Sequence, residues 1–174
     1  RAYAQDHPEV VKGLQALFNQ DNGTGRVINF SASGLTTASG NLARWMTNIP
    51  AEISRNITLG FPGAPSGGGS DNASFVCYGA PAFGLGALDW SYGQYTWHTQ
   101  RDTYDKAVID DLRSNAVLTA MLTYLAAEDP ELLSRDRRGF DRGTTAARPG
   151  QGFPTPTSWP SCTEALRKSS DYRR

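Results

Sequence analysis

Four short apolar runs, LQALFNQ, VINFSASG, NITLGF and APAFGLGAL, are set among a turn segment, DNGTG, and segments of helical character as far as Pro130. Runs this short, bounded by Gly, Pro and Asp, predict extended segments; APAFGLGAL has the continuous apolar character of a buried strand. Between them, DHPE reads as a helix start with Asp6 as cap and proline in the first turn, and Gly13 ends it early. TTASGNLARWMTNIP places Leu42, Trp45 and Met46 on one face, and Pro50 stops it. SDNASFVCYG predicts a short helix with Ser70 or Asp71 as cap and Gly79 as terminator. The last helix, from YDKAVIDD to Pro130, is predicted to bury Val108, Leu112, Ala116, Leu118, Met121, Leu122 and Leu125. Strands alternating with helices in this way predict an α/β domain on a mixed or parallel sheet.

From Gly139 the pattern lapses into GFDRGTTAARPGQGFPTPTSWP, too rich in Gly, Pro, Thr and Arg for a core of its own. The chain therefore divides into an α/β domain over 1–138 and an irregular arm over 139–174, the arm's end compatible with a short helix over SCTEALRKSSDYRR. A length of 174 residues suits one domain. The net charge of zero makes no case for nucleic acid or a membrane surface, and no apolar run is long enough to span a bilayer. The opening RAYAQDHPEV starts mid-pattern without methionine and reads as a processed product or a piece of something longer. Cys77, in the apolar run SFVCYG, is expected to be a buried free thiol. A bond to Cys162 stays open and would need an oxidising compartment.

Open α/β sheets place ligands at the carboxyl ends of their strands. Asp21 follows LFNQ directly, and His98 lies in the loop after FGLGAL. A carboxylate and an imidazole at one sheet edge can share a zinc ion, but zinc takes about four donors and no ligand cluster is visible in the spacing. Taken alone, Asp21 reads equally as a turn residue of DNGTG, and His98 as a ring packed on its tryptophan neighbour. The loop PGAPSGGGSDNASF is flexible enough for backbone to approach a site, or is plain surface. No G-x-S-x-G nucleophile elbow and no lysine-bearing phosphate loop occur. Asn22, Asn56 and Asn72 head glycosylation-type triplets, a pattern common by chance.

GGGSDNASFVCYGAPAFGLG followed by YTWHTQRDTYDK resembles the C-terminal half of the zinc peptidases that include bacterial leucyl aminopeptidase, glutamate carboxypeptidase and, as a non-catalytic relative, transferrin receptor. LQALFNQDNGTG resembles that family's strand ending in an Asn-x-Asp zinc ligand. The resemblance runs over roughly residues 3 to 130. It implies a three-layer mixed-sheet fold, here its C-terminal part, with Asp21 and His98 as metal ligands of a two-zinc centre. The first histidine, the bridging aspartate and the glutamates, including the general base, are expected upstream.

By the same resemblance Asp102 orients His98 from behind, or caps a turn. Ser70, Asp71, Phe75, Tyr92, Tyr95 and Trp97 line a substrate pocket. Many members carry Ser-Asp-His where this chain has Ser70-Asp71-Asn72, and tyrosine where it has Trp97. The expected function is peptide hydrolysis by a secreted or periplasmic zinc exopeptidase, with this segment incompetent without the upstream residues. The expected partners are the upstream half of the same peptidase or copies of itself. The alternative is a non-catalytic, self-associating structural fragment or a receptor-like module on the same fold.

Overall fold

The computed structural model describes residues 1–66, 69–139 and 158–162. Most of the arm expected over 139–174, including its terminal helix from 163 on, lies outside the described residues.

A four-stranded sheet forms the centre, from β1 (Leu17–Asn19), β2 (Val27–Ser31), β3 (Thr58–Gly60) and β4 (Ala82–Ala87), in the order β1-β4-β2-β3. β1 runs parallel to β4 and β2 parallel to β3, while β2 and β4 are antiparallel. The sheet is therefore mixed, and each strand falls inside one of the four expected apolar runs. The helices are α1 (Ala2–Asp6), α2 (Pro8–Gly13), α3 (Ser39–Met46), α4 (Ala51–Ser54), α5 (Ala73–Val76) and α6 (Ile109–Glu128). Asp6 does not cap the first helix: it closes α1, and Pro8 starts α2 after His7. Residues beyond Pro50 form the extra turn α4, which periodicity over so few residues does not reveal.

The pleat separates the two sheet faces. Phe18, Phe30, Phe83 and Leu85 point to one side and pack on Leu42 and Trp45 of α3 and Leu118 and Leu122 of α6. Three of these rings meet, with Phe30 and Phe83 edge to face at 5.5 Å and Phe18 and Phe83 at 5.8 Å. An irregularity in register between Val27 and Asn29 lets Val27 and Phe30, three apart, both reach this core. The opposite face carries Asn29 and Ser31 on β2 and Gly84 and Gly86 on β4, with α5 beside Gly84. One side of the sheet is thus an aromatic core, and the other is polar and open.

The buried stripe of α6 differs from the expected one. It consists of Asp111, Asn115, Leu118, Leu122 and Ala126, while Leu112 is exposed and Ala116 faces outward. Two polar residues displace the expected apolar ones because the start of β2 needs hydrogen-bond partners. Asn115 accepts from the Val27 N–H at 2.9 Å and donates to the Gly25 carbonyl at 2.8 Å. Asp111 accepts from the Arg26 N–H and Nε and from Trp90 Nε1, all within 3.1 Å. Buried polar groups survive only when satisfied in this way.

At the far end of α6, Asp129 accepts from the Glu131 N–H, Arg44, Trp45 Nε1 and Asn41. Burial alone would push its carboxyl up, yet these four donors hold it down at about 2, against an ordinary 3.8. The chain then crosses back. Leu133 is buried, Arg135 donates to the carbonyls of Val11, Lys12 and Leu14 at the end of α2, and Leu35 pairs with Arg137. Cys77 is not a free thiol: it is bonded to Cys162 across a separation of 85 residues. The bond, with Trp159 stacked on Arg137 at 4.7 Å, pins residues 158–162 to the domain.

Candidate active site

Asp21 stands just beyond the carboxyl end of β1, where the strand's direction delivers it to the rim of the sheet. Its carboxylate is oriented by a two-step relay. Asn19 Nδ2 donates to Ser70 Oγ at 2.6 Å, which commits the hydroxyl hydrogen to Asp21 Oδ2 at 2.8 Å. The other carboxylate oxygen makes no hydrogen bond among the described residues. Ser70 comes from the glycine-rich loop before α5, so that loop does approach a site. Neither Ser70 nor Asp71 caps α5 by its side chain; Asn72 is the capping position and makes no side-chain cap bond.

Asp21 and Ser70 border a cavity of about 280 Å³ on the open face of the sheet. Asn19, Asn22, Asn29 and Asn72 share its walls with Ser31, Ser33 and Ser66, and Gly84 and Gly86 form its floor. Gly86 is required there, since a Cβ on it would fall 2.1 Å from Asn29 Oδ1. The four asparagines escaped sequence reasoning because they are far apart along the chain. Among the glycosylation-type positions, Asn72 is buried at 3% exposure and Asn56 is exposed.

The loop after β4 carries the other expected residues. It contains a turn of π-helix, Tyr92–Thr96, a geometry often found at functional sites. Trp90, Ser91 and His98 all take positive φ, at 45°, 63° and 57°. Left-handed backbone is costly for such side chains and persists only where surroundings hold it. The bond from Trp90 Nε1 to buried Asp111 is one such restraint. The Tyr92 ring lies against Gly23, where a Cβ would sit 2.8 Å from Cγ, so the loop abuts the segment that follows Asp21. Burial, and then the charges of Asp102 and Asp21, push the Tyr92 phenol above its ordinary value.

His98 is exposed, tilted against Trp97 with ring centroids 4.4 Å apart, and neither imidazole nitrogen makes a hydrogen bond among the described residues. It is absent from the lining of the Asp21 cavity. Asp102 makes no hydrogen bond to His98; it lines a smaller cavity of about 70 Å³ with Tyr92 and Lys106. Phe75 packs against the cluster of Ala4, Val11 and Ala80, Asp71 is exposed, and Tyr95 lies under the Arg101 guanidinium at 4.7 Å. The structure therefore joins Asp21 to Ser70 directly, and brings Tyr92 and Asp102 to the neighbouring segment. Among the described residues no group of three or more His, Cys, Asp or Glu converges to hold a metal ion. A closed zinc site of about four donors is thus not made by these residues alone.

No curated protein matches the chain. Among solved structures, that of a peptidase M28 precursor from Shewanella amazonensis SB2B superposes with a TM-score of 0.61 at 23% identity, over 76% of this chain. The chain spans 29% of the length of that protein. The sequence model of Peptidase family M28 matches residues 1–125, a stretch that holds every strand among the described residues, the Asp21 relay and the His98 loop. With that match over most of its length, the chain belongs to peptidase family M28, a family of metallopeptidases.

Proposed function

We propose that this chain is the C-terminal part of a zinc-dependent exopeptidase domain, supplying Asp21 and His98 as two donors of a dinuclear centre. The observation that carries the reading is the Asn19–Ser70–Asp21 relay at the carboxyl end of β1, inside the segment matched by the family. A carboxylate held by one oxygen, with the other making no hydrogen bond among the described residues, is the arrangement a metal ligand needs. His98 fits the second role because both of its ring nitrogens are uncommitted. When bound, zinc would supply Lewis acidity toward a peptide carbonyl and an acidified water.

The chain's own residues do the positioning. Ser70 fixes the Asp21 carboxylate, Asp111 anchors Trp90 at the base of the His98 loop, and burial, with the charges of Asp102 and Asp21, holds the Tyr92 phenol above its ordinary value. Ser70 also borders the pocket proposed for substrate, whereas Asp71, Phe75, Tyr92, Tyr95 and Trp97 lie outside its lining. The general base and the remaining donors belong to the part of the fold this chain does not span. β1 is an edge strand, and beside it lies a cavity of about 400 Å³ lined by Val10, Leu14, Ala16, Phe18 and Ala126. That edge is where the rest of the sheet would join. The Cys77–Cys162 bond supports residence in an oxidising compartment, secreted or periplasmic, and no described helix is long and apolar enough to cross a membrane.

The test is elemental analysis and peptidase assay of the protein carrying the whole domain. Near-stoichiometric zinc, chelator-sensitive hydrolysis, and loss of both in Asp21→Ala and His98→Ala would support the reading. Hydrolysis unchanged by chelator, or zinc retained in both variants, would overturn it.

A further inference from the structure

The cavity beside Asp21 has an unusual chemical makeup for its size. At about 280 Å³ it is just under the range of roughly 300–1,000 Å³ typical of small-molecule sites, so it takes one side chain rather than a peptide. No Lys or Arg lines it among the described residues, and its apolar contributors are only Ala64 and Leu85 apart from the glycines. Carboxamides and hydroxyls supply most of the rest.

Asn72 is the strongest sign that these groups serve a ligand. It is 3% exposed, yet its side chain makes no hydrogen bond to any described residue, and its Nδ2 lies 3.4 Å from where a Gly84 Cβ would be. Asn22 adds an atom shut off from solvent: its Nδ2 donates to the Leu85 carbonyl at 3.2 Å, while Oδ1 is buried without a donor among the described residues, a costly arrangement. Asn29 lies across Gly86 on the same floor, and it too makes no side-chain hydrogen bond among the described residues. Donors and acceptors thus face one space from β2, β4, α5 and the turn after β1.

We infer that this cavity receives an uncharged hydrogen-bonding side chain of the substrate, a carboxamide such as glutamine or asparagine before any other. This deepens the peptidase reading and rests on it only for calling the ligand a peptide residue. A carboxamide has one donor group and one acceptor, so it can pair with the unpartnered amides of Asn72 and Asn29. An apolar side chain would strip water from the asparagines and return no hydrogen bond. An acidic one would face Asp21 without a counter-charge. A lysine has only donors and offers the asparagine N–H groups no acceptor.

The experiment measures binding of acetylated, amidated glutamine, asparagine, leucine, glutamate and lysine to the intact protein by NMR, reading the backbone amides of Gly84 and Gly86. The glutamine or asparagine derivative should bind about tenfold or more tighter than the other three and shift both glycines. Asn72→Leu should erase that preference, and Asn29→Ala, at an exposed position, should weaken it several-fold with the fold intact. Equal or tighter binding of the leucine, glutamate or lysine derivative overturns the inference, as does the absence of a shift at both glycines with every derivative. Chelator-sensitive hydrolysis, measured separately, judges the peptidase reading, so either can fail without the other.

Discussion

Ser70 Oγ donates to Asp21 Oδ2 at 2.8 Å while accepting from Asn19 Nδ2 at 2.6 Å. Because the amide can only donate, the hydroxyl must point its hydrogen at the carboxylate. The glycine-rich loop thereby sets the orientation of a group 49 residues earlier in the chain. On the proposed role of Asp21 as a ligand, Ser70→Ala in the protein carrying the whole domain should weaken zinc binding about 10- to 100-fold, as loss of a ligand's hydrogen-bond partner generally does. Ser70→Thr, which keeps the hydroxyl, should recover most of the affinity. Competitive titration with a chromophoric chelator measures both.

Asp111 carries three donors on one buried carboxylate: the Arg26 N–H, Arg26 Nε and Trp90 Nε1. Asp111→Leu leaves a backbone N–H and an indole N–H unpaired. Urea unfolding should show a loss of about 3 kcal/mol. Tryptophan emission should report a freed Trp90 before global unfolding, since its left-handed backbone loses a restraint. Unchanged stability would mean that water replaces the carboxylate without cost.

Asp129 sets an acid limit. Its folded-state carboxyl lies at about 2 and its ordinary value is 3.8. A depressed pKa favours folding fully above the ordinary value, and the benefit fades as pH falls from about 4 through about 2. Stability measured from pH 5 to pH 2 should therefore drop across that window. Asp129→Asn should be less stable at neutral pH, because Arg44 loses its closer carboxylate and keeps only Glu131, and should show a shallower decline in acid.

The Cys77–Cys162 bond closes a span of 85 residues. Its reduction, or Cys162→Ala, should lower stability by about 2–4 kcal/mol, mainly through greater freedom of the unfolded chain. Thermal unfolding with and without reductant measures the loss. Trp159 lies against Gly34 and Pro65, next to the loop that forms one wall of the polar cavity. Proteolysis should therefore cut near 158–162 sooner in the reduced protein.

The order of strands and helices was legible in the sequence because it is written in local periodicity and punctuation. Each of β1 to β4 falls within an apolar run bounded by turn residues, and Gly79 takes the left-handed conformation, though in the turn after α5, which ends at Val76 rather than at Gly79. The stripe on α6 was misjudged for a reason outside the helix: Asp111 and Asn115 face inward because the first residues of β2 lack other partners there. Cys77 was misread because its neighbours are apolar, and nothing within SFVCYG reveals a partner 85 positions away.

The sequence by itself determined an α/β chain of this family and singled out Asp21 and His98 as candidates, since motifs and short-range patterns survive without coordinates. Only the tertiary structure decided that Asn19 and Ser70 aim the Asp21 carboxylate, and that four distant asparagines and two glycines share one cavity. Those relations depend on which strands become neighbours. Strand order is settled by burial of Phe18, Phe30, Phe83 and Leu85 against α3 and α6, a collective energy that no local segment contains.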